Sequence, residues 1–295
     1  MLMPPDRIGA HRQAWPDRRS ERRGRGDRDR VVGGPSDALR LLHSLVVLLC
    51  ICLNACARPE AARDEQVVVF AAASLRDAFG ALARDFERVR PGTKVTFNFG
   101  GTQQLRTQIE HGAAADVFAS ADTRQMDELV RASRASAPVV FAKNEPVLVV
   151  AKESAATIRG LSDLPHAKRI VIGATEVPIG RYTVQILDSA SARFGADFRA
   201  RVEARIVSRE LNVRQVLAKV SLGEAQAGIV YRTDAMSAVD SLSIVTIPAD
   251  LNVVAEYPIA VTTQAKSPVA ARAFVDFVLS PDGQRALRRA GFVAP

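Results

Sequence analysis

Residues 67–78, VVVFAAASLRDA, restrict the possible folds of this chain more than any other stretch. The run VVVF is too short for a helix and rich in β-branched residues, which predicts a buried strand. The apolar residues that follow recur at helical spacing, and they are Leu75, Phe79, Leu82, Phe86 and Val89. Ser74 lies at the junction and is predicted to be the helix N-cap. A buried strand that leads directly into an amphipathic helix is typical of α/β folds.

The same alternation of apolar runs and amphipathic segments continues to the C-terminus. Further strands are predicted at residues 94–99, 117–119, 147–150, 170–172, 229–231 and 257–261. Helices are predicted at residues 103–110 and 213–222, after the turn at 178–180, and as a C-terminal pair broken at Pro281. Because strands that alternate with helices form parallel sheets, the predicted fold class is α/β with mainly parallel sheets.

The N-terminal region has the composition of a leader rather than of a folded domain. Residues 1–30 are rich in Arg, Gly and Asp and are predicted to be disordered. Residues 41–55 form a hydrophobic segment that is shorter than the roughly 20 residues of a membrane span and typical of a signal peptide. We therefore assign residues 1–55 to a leader and signal peptide, and residues 56–66 to a tether.

All three cysteines lie in or beside this hydrophobic segment. Cys56 follows the letters LNA, which resemble the end of a bacterial lipoprotein signal, so Cys56 is expected to carry the lipid. An uncleaved signal anchor, or a free Cys56 after an ordinary signal, remains the alternative. Since Cys50 and Cys52 precede Cys56, the globular part has neither a disulfide nor a cysteine metal site.

The net charge of +8 does not predict a nucleic-acid partner. Residues 1–55 hold 10 Arg against 6 acidic residues, which leaves 30 basic and 26 acidic residues in the rest of the chain. No cluster of basic and aromatic residues and no nucleic-acid-binding motif accompanies them. We therefore expect no nucleic-acid partner.

Four predicted strand-to-helix turns carry small or uncharged residues, and each opens a helix. They contain Ser74, Thr102, Ile179 and Val213, two in each half of the globular part. If the halves face each other, four helix N-termini converge, and their free N–H groups and dipoles favour an anion. Ordinary turn chemistry, repeated four times, explains the same pattern equally well.

The segments AAASL, NFGGT, QIEHGAAADVFASAD, VPIG, NVRQVL and GIVYRTDA resemble the periplasmic molybdate-binding proteins of bacterial ABC importers. The resemblance runs in register from about residue 67 to the C-terminus. It implies a type II periplasmic-binding-protein fold, in which two α/β lobes are joined by two crossover strands and close on the ligand. The implied lobe 1 comprises residues 67–146 and 255–295, and lobe 2 comprises residues 147–254.

The resemblance also implies five ligand-binding residues for molybdate or tungstate. Ser74, Thr102 and Tyr231 would bind through their hydroxyls, and Ile179 and Val213 through their backbone N–H groups. Thr102 and Ile179 depart from the serine and alanine that are more usual in the family, and both add bulk at the pocket. The implied metal site is this oxyanion site alone, and we expect no cofactor.

The implied function is that of an extracytoplasmic solute-binding protein that delivers molybdate or tungstate to the permease and ATPase of an importer. We expect a monomer in the periplasm or at the outer face of the cell membrane, anchored there through Cys56. Arg181 and Arg214 are expected to face solvent or an aspartate, because a ligand held without their charge is released more easily. A carrier for sulfate or phosphate on the same fold remains an alternative.

An enzyme is the less favoured alternative. Ser74 lies in AAASL rather than in G-x-S-x-G, and His111 and His166 are expected at the surface. Asp116 and Asp122 flank a strand end but have no His or Cys beside them, so Asp122 is predicted to be a helix cap instead of a metal ligand.

Overall fold

The computed structural model describes residues 65–295, so the predicted leader, tether and lipidation site at Cys56 lie outside the described residues. Within them the strands are β1 (Glu65–Ala72), β2 (Thr93–Gly100), β3 (Val117–Ala119), β4 (Ala135–Asn144), β5 (Pro146–Ala151), β6 (Ile170–Gly173), β7 (Ile206–Glu210), β8 (Ala227–Tyr231), β9 (Leu242–Thr246) and β10 (Ala255–Thr262). The helices are α1 (Arg76–Val89), α2 (Thr102–Glu110), α3 (Thr123–Arg131), α4 (Pro178–Phe194), α5 (Phe198–Glu203), α6 (Val213–Ser221), α7 (Arg232–Met236), α8 (Pro268–Leu279) and α9 (Pro281–Arg289).

The strands form two five-stranded mixed sheets with the same plan. The first sheet has the order β2-β1-β3-β10-β4, and the second has the order β7-β6-β8-β5-β9. In both sheets the first three strands pair in parallel, and the last two pairings are antiparallel. We call each sheet with its helices lobe 1 and lobe 2 in turn. The predicted α/β class is confirmed, but the sheets are mixed and not mainly parallel, because each has two parallel and two antiparallel pairings.

The chain crosses between the lobes twice, and the two crossings touch. At the first crossing β4 ends at Asn144 and β5 begins at Pro146. The second crossing is the segment between β9 and β10, where the Asn252 side chain donates to the Pro146 carbonyl at 3.0 Å. Ala255 pairs directly with Asn144. These paired crossover segments form the hinge between the lobes.

An aromatic layer fixes α1 and α8 on the first sheet. Phe79 of α1 lies within 6.2 Å, ring centre to ring centre, of Phe97, Phe141 and Phe274. Its own ring is fully buried, and burying a side chain of this size contributes about 1.5–3 kcal/mol. Val89 was predicted to lie on the same buried face, but this prediction is wrong, since Val89 is the last residue of α1 and is 63% exposed.

The predicted N-cap role of Ser74 is also wrong. Residues Ala73–Leu75 form a single 3-10 turn before α1, and no side chain caps either segment. The hydroxyl of Ser74 is buried instead of exposed at a helix end. None of the helices within residues 65–295 is both long enough and apolar enough to cross a membrane.

Candidate ligand-binding site

A small cavity between the two lobes is lined by all five residues that the sequence predicted as ligands. Ser74 and Thr102 reach it from lobe 1, and Ile179, Val213 and Tyr231 reach it from lobe 2. The cavity is narrow, and its volume of about 10 Å³ is close to what one enclosed water molecule needs. The structure therefore brings the predicted residues together at one point.

Two helices of lobe 2 present their N-termini to this cavity. Ile179 is the second residue of α4, directly after Pro178, and the intrahelical ladder begins only where Arg181 N–H donates to the Val177 carbonyl at 3.0 Å. Val213 opens α6, where the Asn212 side chain accepts from a later N–H group of the first turn. The first N–H groups of a helix have no partner inside it and sit at its positive end. The cavity is therefore favourable for an anion.

The hydroxyl groups of Thr102 and Tyr231 each have a proton that is free to donate a hydrogen bond. Thr102 Oγ1 accepts from the Ala121 N–H at 3.3 Å, which leaves its own proton free to donate. Tyr231 ends β8 and is 1% exposed, and among the described residues its hydroxyl has no hydrogen-bond partner. Burial raises the pKa of Tyr231 well above 10, so its hydroxyl stays a neutral donor. A buried polar group left unpaired costs about 1–3 kcal/mol, so the Tyr231 hydroxyl indicates a ligand.

Most residues that line the cavity are small or apolar, and none of them carries a charged side chain among the described residues. Arg181 lies near the start of α4 and Arg214 near the start of α6, but both form ion pairs with aspartates. Arg181 pairs with Asp122, which is also the N-cap of α3 through the Gln125 N–H at 2.9 Å. The predicted aspartate partners and the predicted cap at Asp122 are thereby confirmed.

Both arginines belong to lobe 2, and each binds an aspartate of lobe 1. Arg181 crosses to Asp122, and the Arg214 Nη2 lies 2.6 Å from Oδ2 of Asp77 on α1. Arg214 also holds Asp234 of its own lobe, with 2.6 Å between Nε and Oδ1. Burial raises the pKa of Asp234 to about 6, and the Arg214 charge opposes that rise. The two arginines therefore fasten the lobes together on either side of the cavity.

A close backbone contact also joins the lobes beside the cavity. A Cβ atom on Gly101 of lobe 1 would lie 2.2 Å from the Leu211 carbonyl oxygen of lobe 2. The neighbouring Gln103 side chain donates to the same oxygen at 2.9 Å. Gly101 has φ −64° and ψ 133°, which any residue adopts, so the close approach and not the backbone angle requires glycine here.

Several residues of the site were missed in the sequence. Tyr257 of β10 lies with its hydroxyl 3.0 Å from Ser74 Oγ, and Asp77 and Gln103 make the contacts between lobes described above. Their partners lie more than a hundred positions away in the chain, so no local pattern marks them. A tyrosine hydroxyl at the centre of an apolar strand was the one available signal.

The residues considered for enzymatic or metal chemistry have other roles. His111 and His166 are exposed, as predicted. The Asp116 carboxylate accepts hydrogen bonds from the backbone N–H groups of Val68, Lys266 and Ser267 at 2.6–3.1 Å. Asp116 therefore connects the segment before α8 to β1. Residues 65–295 contain no group of three or more His, Cys, Asp or Glu side chains placed to hold a metal ion.

Comparison with known proteins places the chain in a family. Residues 67–293 match the sequence profile of bacterial extracellular solute-binding proteins. The molybdate-binding protein ModA of Mycobacterium tuberculosis is 40% identical over 231 residues, which is 78% of this chain and 85% of that protein.

Two solved structures share the fold. The periplasmic molybdate-binding protein of Azotobacter vinelandii has a TM-score of 0.68 at 22% identity, over 78% of this chain and 99% of that one. The sulfate-binding protein SubI of M. tuberculosis has a TM-score of 0.71 at 18% identity, over 77% and 86%. The two-lobed periplasmic-binding-protein fold is thus confirmed, as is the resemblance to molybdate-binding proteins, and the chain belongs to the bacterial extracellular solute-binding proteins.

Proposed function

We propose that this protein captures molybdate or tungstate in the cavity between its lobes and delivers it to an ABC importer. The observation that carries the proposal is the buried Tyr231 hydroxyl, which lines an uncharged cavity and lacks a partner among the described residues. The 40% identical relative that is named a molybdate-binding protein supports the choice of ion. The ligands we propose are the hydroxyls of Ser74, Thr102 and Tyr231 and the N–H groups of Ile179 and Val213.

Neutral donors are physically sufficient to hold a dianion in this cavity. A buried charge is costly unless its oxygens are well hydrogen-bonded, and hydrogen bonds to a charged group are roughly twice as strong as neutral ones. Because Arg181 and Arg214 are already paired with aspartates, the ion meets dipoles and hydroxyls instead of a full positive charge. Such a site binds firmly and still releases the ion to a transporter.

Binding without catalysis is part of the proposal. The hydroxyl of Ser74 has a tyrosine hydroxyl as its neighbour, and no histidine lines the cavity within residues 65–295. A serine nucleophile needs an adjacent base. We therefore propose a carrier that needs no cofactor. It would act as a monomer in the periplasm or at the outer membrane face, anchored through Cys56, with the importer's permease and ATPase as partners.

Thermal unfolding with different oxyanions tests the choice of ligand. Molybdate and tungstate are expected to raise the melting temperature strongly, since a ligand that binds only the folded state stabilises it by about 2.7 kcal/mol at one hundred times its Kd. Sulfate and phosphate at the same concentration should have much smaller effects. Calorimetric titration of the same four ions provides the affinities. An equal shift with sulfate would reassign the protein to sulfate transport.

Replacing Tyr231 by phenylalanine is expected to weaken molybdate binding roughly 10- to 100-fold, because it deletes one hydrogen bond to a charged ligand. Most of the loss should appear as faster release in stopped-flow measurements. The unliganded melting temperature should not fall, since the ring and its edge-on contact with Tyr257 at 5.7 Å remain. Thr157→Val is the control, because it also removes one hydroxyl of lobe 2, but that hydroxyl donates to the Ser154 carbonyl at 3.0 Å and does not line the cavity. Unchanged release rates would remove Tyr231 from the site.

A further inference from the structure

The Ser74 hydroxyl makes a buried hydrogen bond with Tyr257, close to a crossing between the lobes. Its Oγ lies 3.0 Å from the hydroxyl oxygen of Tyr257, and both side chains are almost completely buried. Tyr257 lies on β10, directly after the second crossing between the lobes. Its ring packs edge-on against Phe141 and Phe292, with ring centres 6.3 and 5.4 Å away, so its position is fixed.

Asn144, where β4 leaves lobe 1, lies beside the strand that carries Tyr257, because it pairs with Ala255 of β10. The Asn144 amide nitrogen donates to Thr233 of lobe 2 at 2.8 Å, and its oxygen accepts from the Glu145 N–H at 3.0 Å, which fixes which way the amide faces. Burial raises the pKa of Tyr257 well above 10, and the polar side chains of Ser74 and Asn144 act in the opposite direction.

When an oxyanion is bound, the hydrogen bond between Ser74 and Tyr257 can run in only one direction. An oxyanion without protons only accepts hydrogen bonds, so the Ser74 hydroxyl has to donate to it. Because this uses the one proton of Ser74, the hydrogen bond between the two hydroxyls at 3.0 Å has Tyr257 as its donor and Ser74 as its acceptor.

We infer that Tyr257 is a positioning residue that fixes the proton of Ser74 towards the cavity, and thereby makes the site selective for oxyanions that carry no proton. This inference rests on the proposed function and extends it. Phosphate near neutral pH retains at least one proton, which needs an acceptor. A Ser74 hydroxyl that accepts from Tyr257 turns its proton, and not a lone pair, towards the ion, so it does not provide that acceptor, and no carboxylate lines the cavity among the described residues.

The matched test is a double-mutant cycle on Ser74 and Tyr257, in which the affinities for two ions are measured. Titrations of molybdate and of phosphate compare wild type, Tyr257→Phe, Ser74→Ala and the double variant. Tyr257→Phe keeps the ring, so its unliganded melting temperature should match that of wild type. We expect molybdate affinity to fall about 3- to 10-fold in Tyr257→Phe. In the Ser74→Ala background the same change should have almost no effect, because Tyr257 acts through Ser74.

The ratio of molybdate to phosphate affinity distinguishes a positioning role of Tyr257 from a role in packing alone. In Tyr257→Phe the Ser74 hydroxyl can rotate and accept the proton of phosphate. Phosphate affinity should therefore rise while molybdate affinity falls, so the ratio should fall by more than the loss of molybdate affinity alone. Thr157→Val, which leaves Ser74 and Tyr257 untouched, should preserve the ratio.

The outcomes separate this inference from the proposed function. A wild-type protein that binds neither molybdate nor tungstate would overturn the proposed function. A wild type that binds molybdate, with Tyr257→Phe unchanged in affinity and ratio, or with additive losses in the cycle, would overturn the positioning role of Tyr257 alone.

Discussion

Gly101→Ala is expected to lower molybdate affinity at least about 100-fold while the unliganded protein stays folded. The new Cβ would meet the Leu211 carbonyl oxygen at 2.2 Å, and neither atom can move aside as a flexible side chain would. Lobe 1 would then be held away from lobe 2. The ion would lose donors from one lobe, and two lost hydrogen bonds to a charged ligand, at about 1.5–3 kcal/mol each, exceed a hundredfold.

The design of this experiment separates closure from folding. The backbone angles at Gly101 suit alanine, so the helix start at Thr102 should form as before. Gly80→Ala is the control, because a Cβ there meets only the end of the Arg84 side chain at 3.8 Å, within α1. Calorimetric titration supplies affinities, and melting temperatures without ligand verify folding. Wild-type affinity in Gly101→Ala would show that the lobes do not need to approach this closely.

The position of the site could be predicted from the sequence because its key residues lie in turns that a few neighbouring residues determine. Pro178 at the start of α4 and Asn212 as the cap of α6 are start signals that a few neighbouring residues determine. Such turns lie at the carboxyl ends of parallel strands, where open α/β sheets bind ligands. Local pattern therefore fixed where Ile179 and Val213 would be, although it left open whether they bind anything.

The strands that the sequence did not predict are edge strands. Strands β4, β7 and β9 each lie at the end of a sheet order, and β4 and β7 carry exposed positions along their length. A strand covered on both faces reads as a continuous apolar run, as β5 does, whereas an edge strand does not. Pro138 within β4 weakens its strand signal further.

The long-range contacts around the site could not be predicted for a different reason. Ser74 and Tyr257 are 183 positions apart, and Asp77 and Arg214 are 137 apart. No periodicity or spacing connects such pairs, because the fold alone brings them together. For Arg214 the sequence therefore indicated either solvent or an aspartate partner, without indicating which aspartate, or that the pair would join two lobes.

The ion pairs between lobes are expected to control release of the ligand. Arg181→Gln should lower molybdate affinity roughly 10- to 100-fold, mainly through faster release, because a hydrogen bond to a charged group is worth about 1.5–3 kcal/mol. The partner, Asp122, has a side chain only 1% exposed when the lobes are together, so closing without Arg181 leaves its charge buried and unpaired. In the open form water can reach both groups, and the loss should therefore fall on the closed form.

Asp122→Asn tests the same pair from the other side. Asparagine is as good an N-cap as aspartate, so α3 keeps its cap while the charge is removed. Its effect on affinity should not add to that of Arg181→Gln, since both remove one interaction. Arg193→Gln is the control, because Arg193 lies on the same helix but pairs with Asp250 of its own lobe, where both side chains are about half exposed. If stopped-flow release is as fast in Arg193→Gln as in Arg181→Gln, the Arg181–Asp122 pair does not hold the lobes closed.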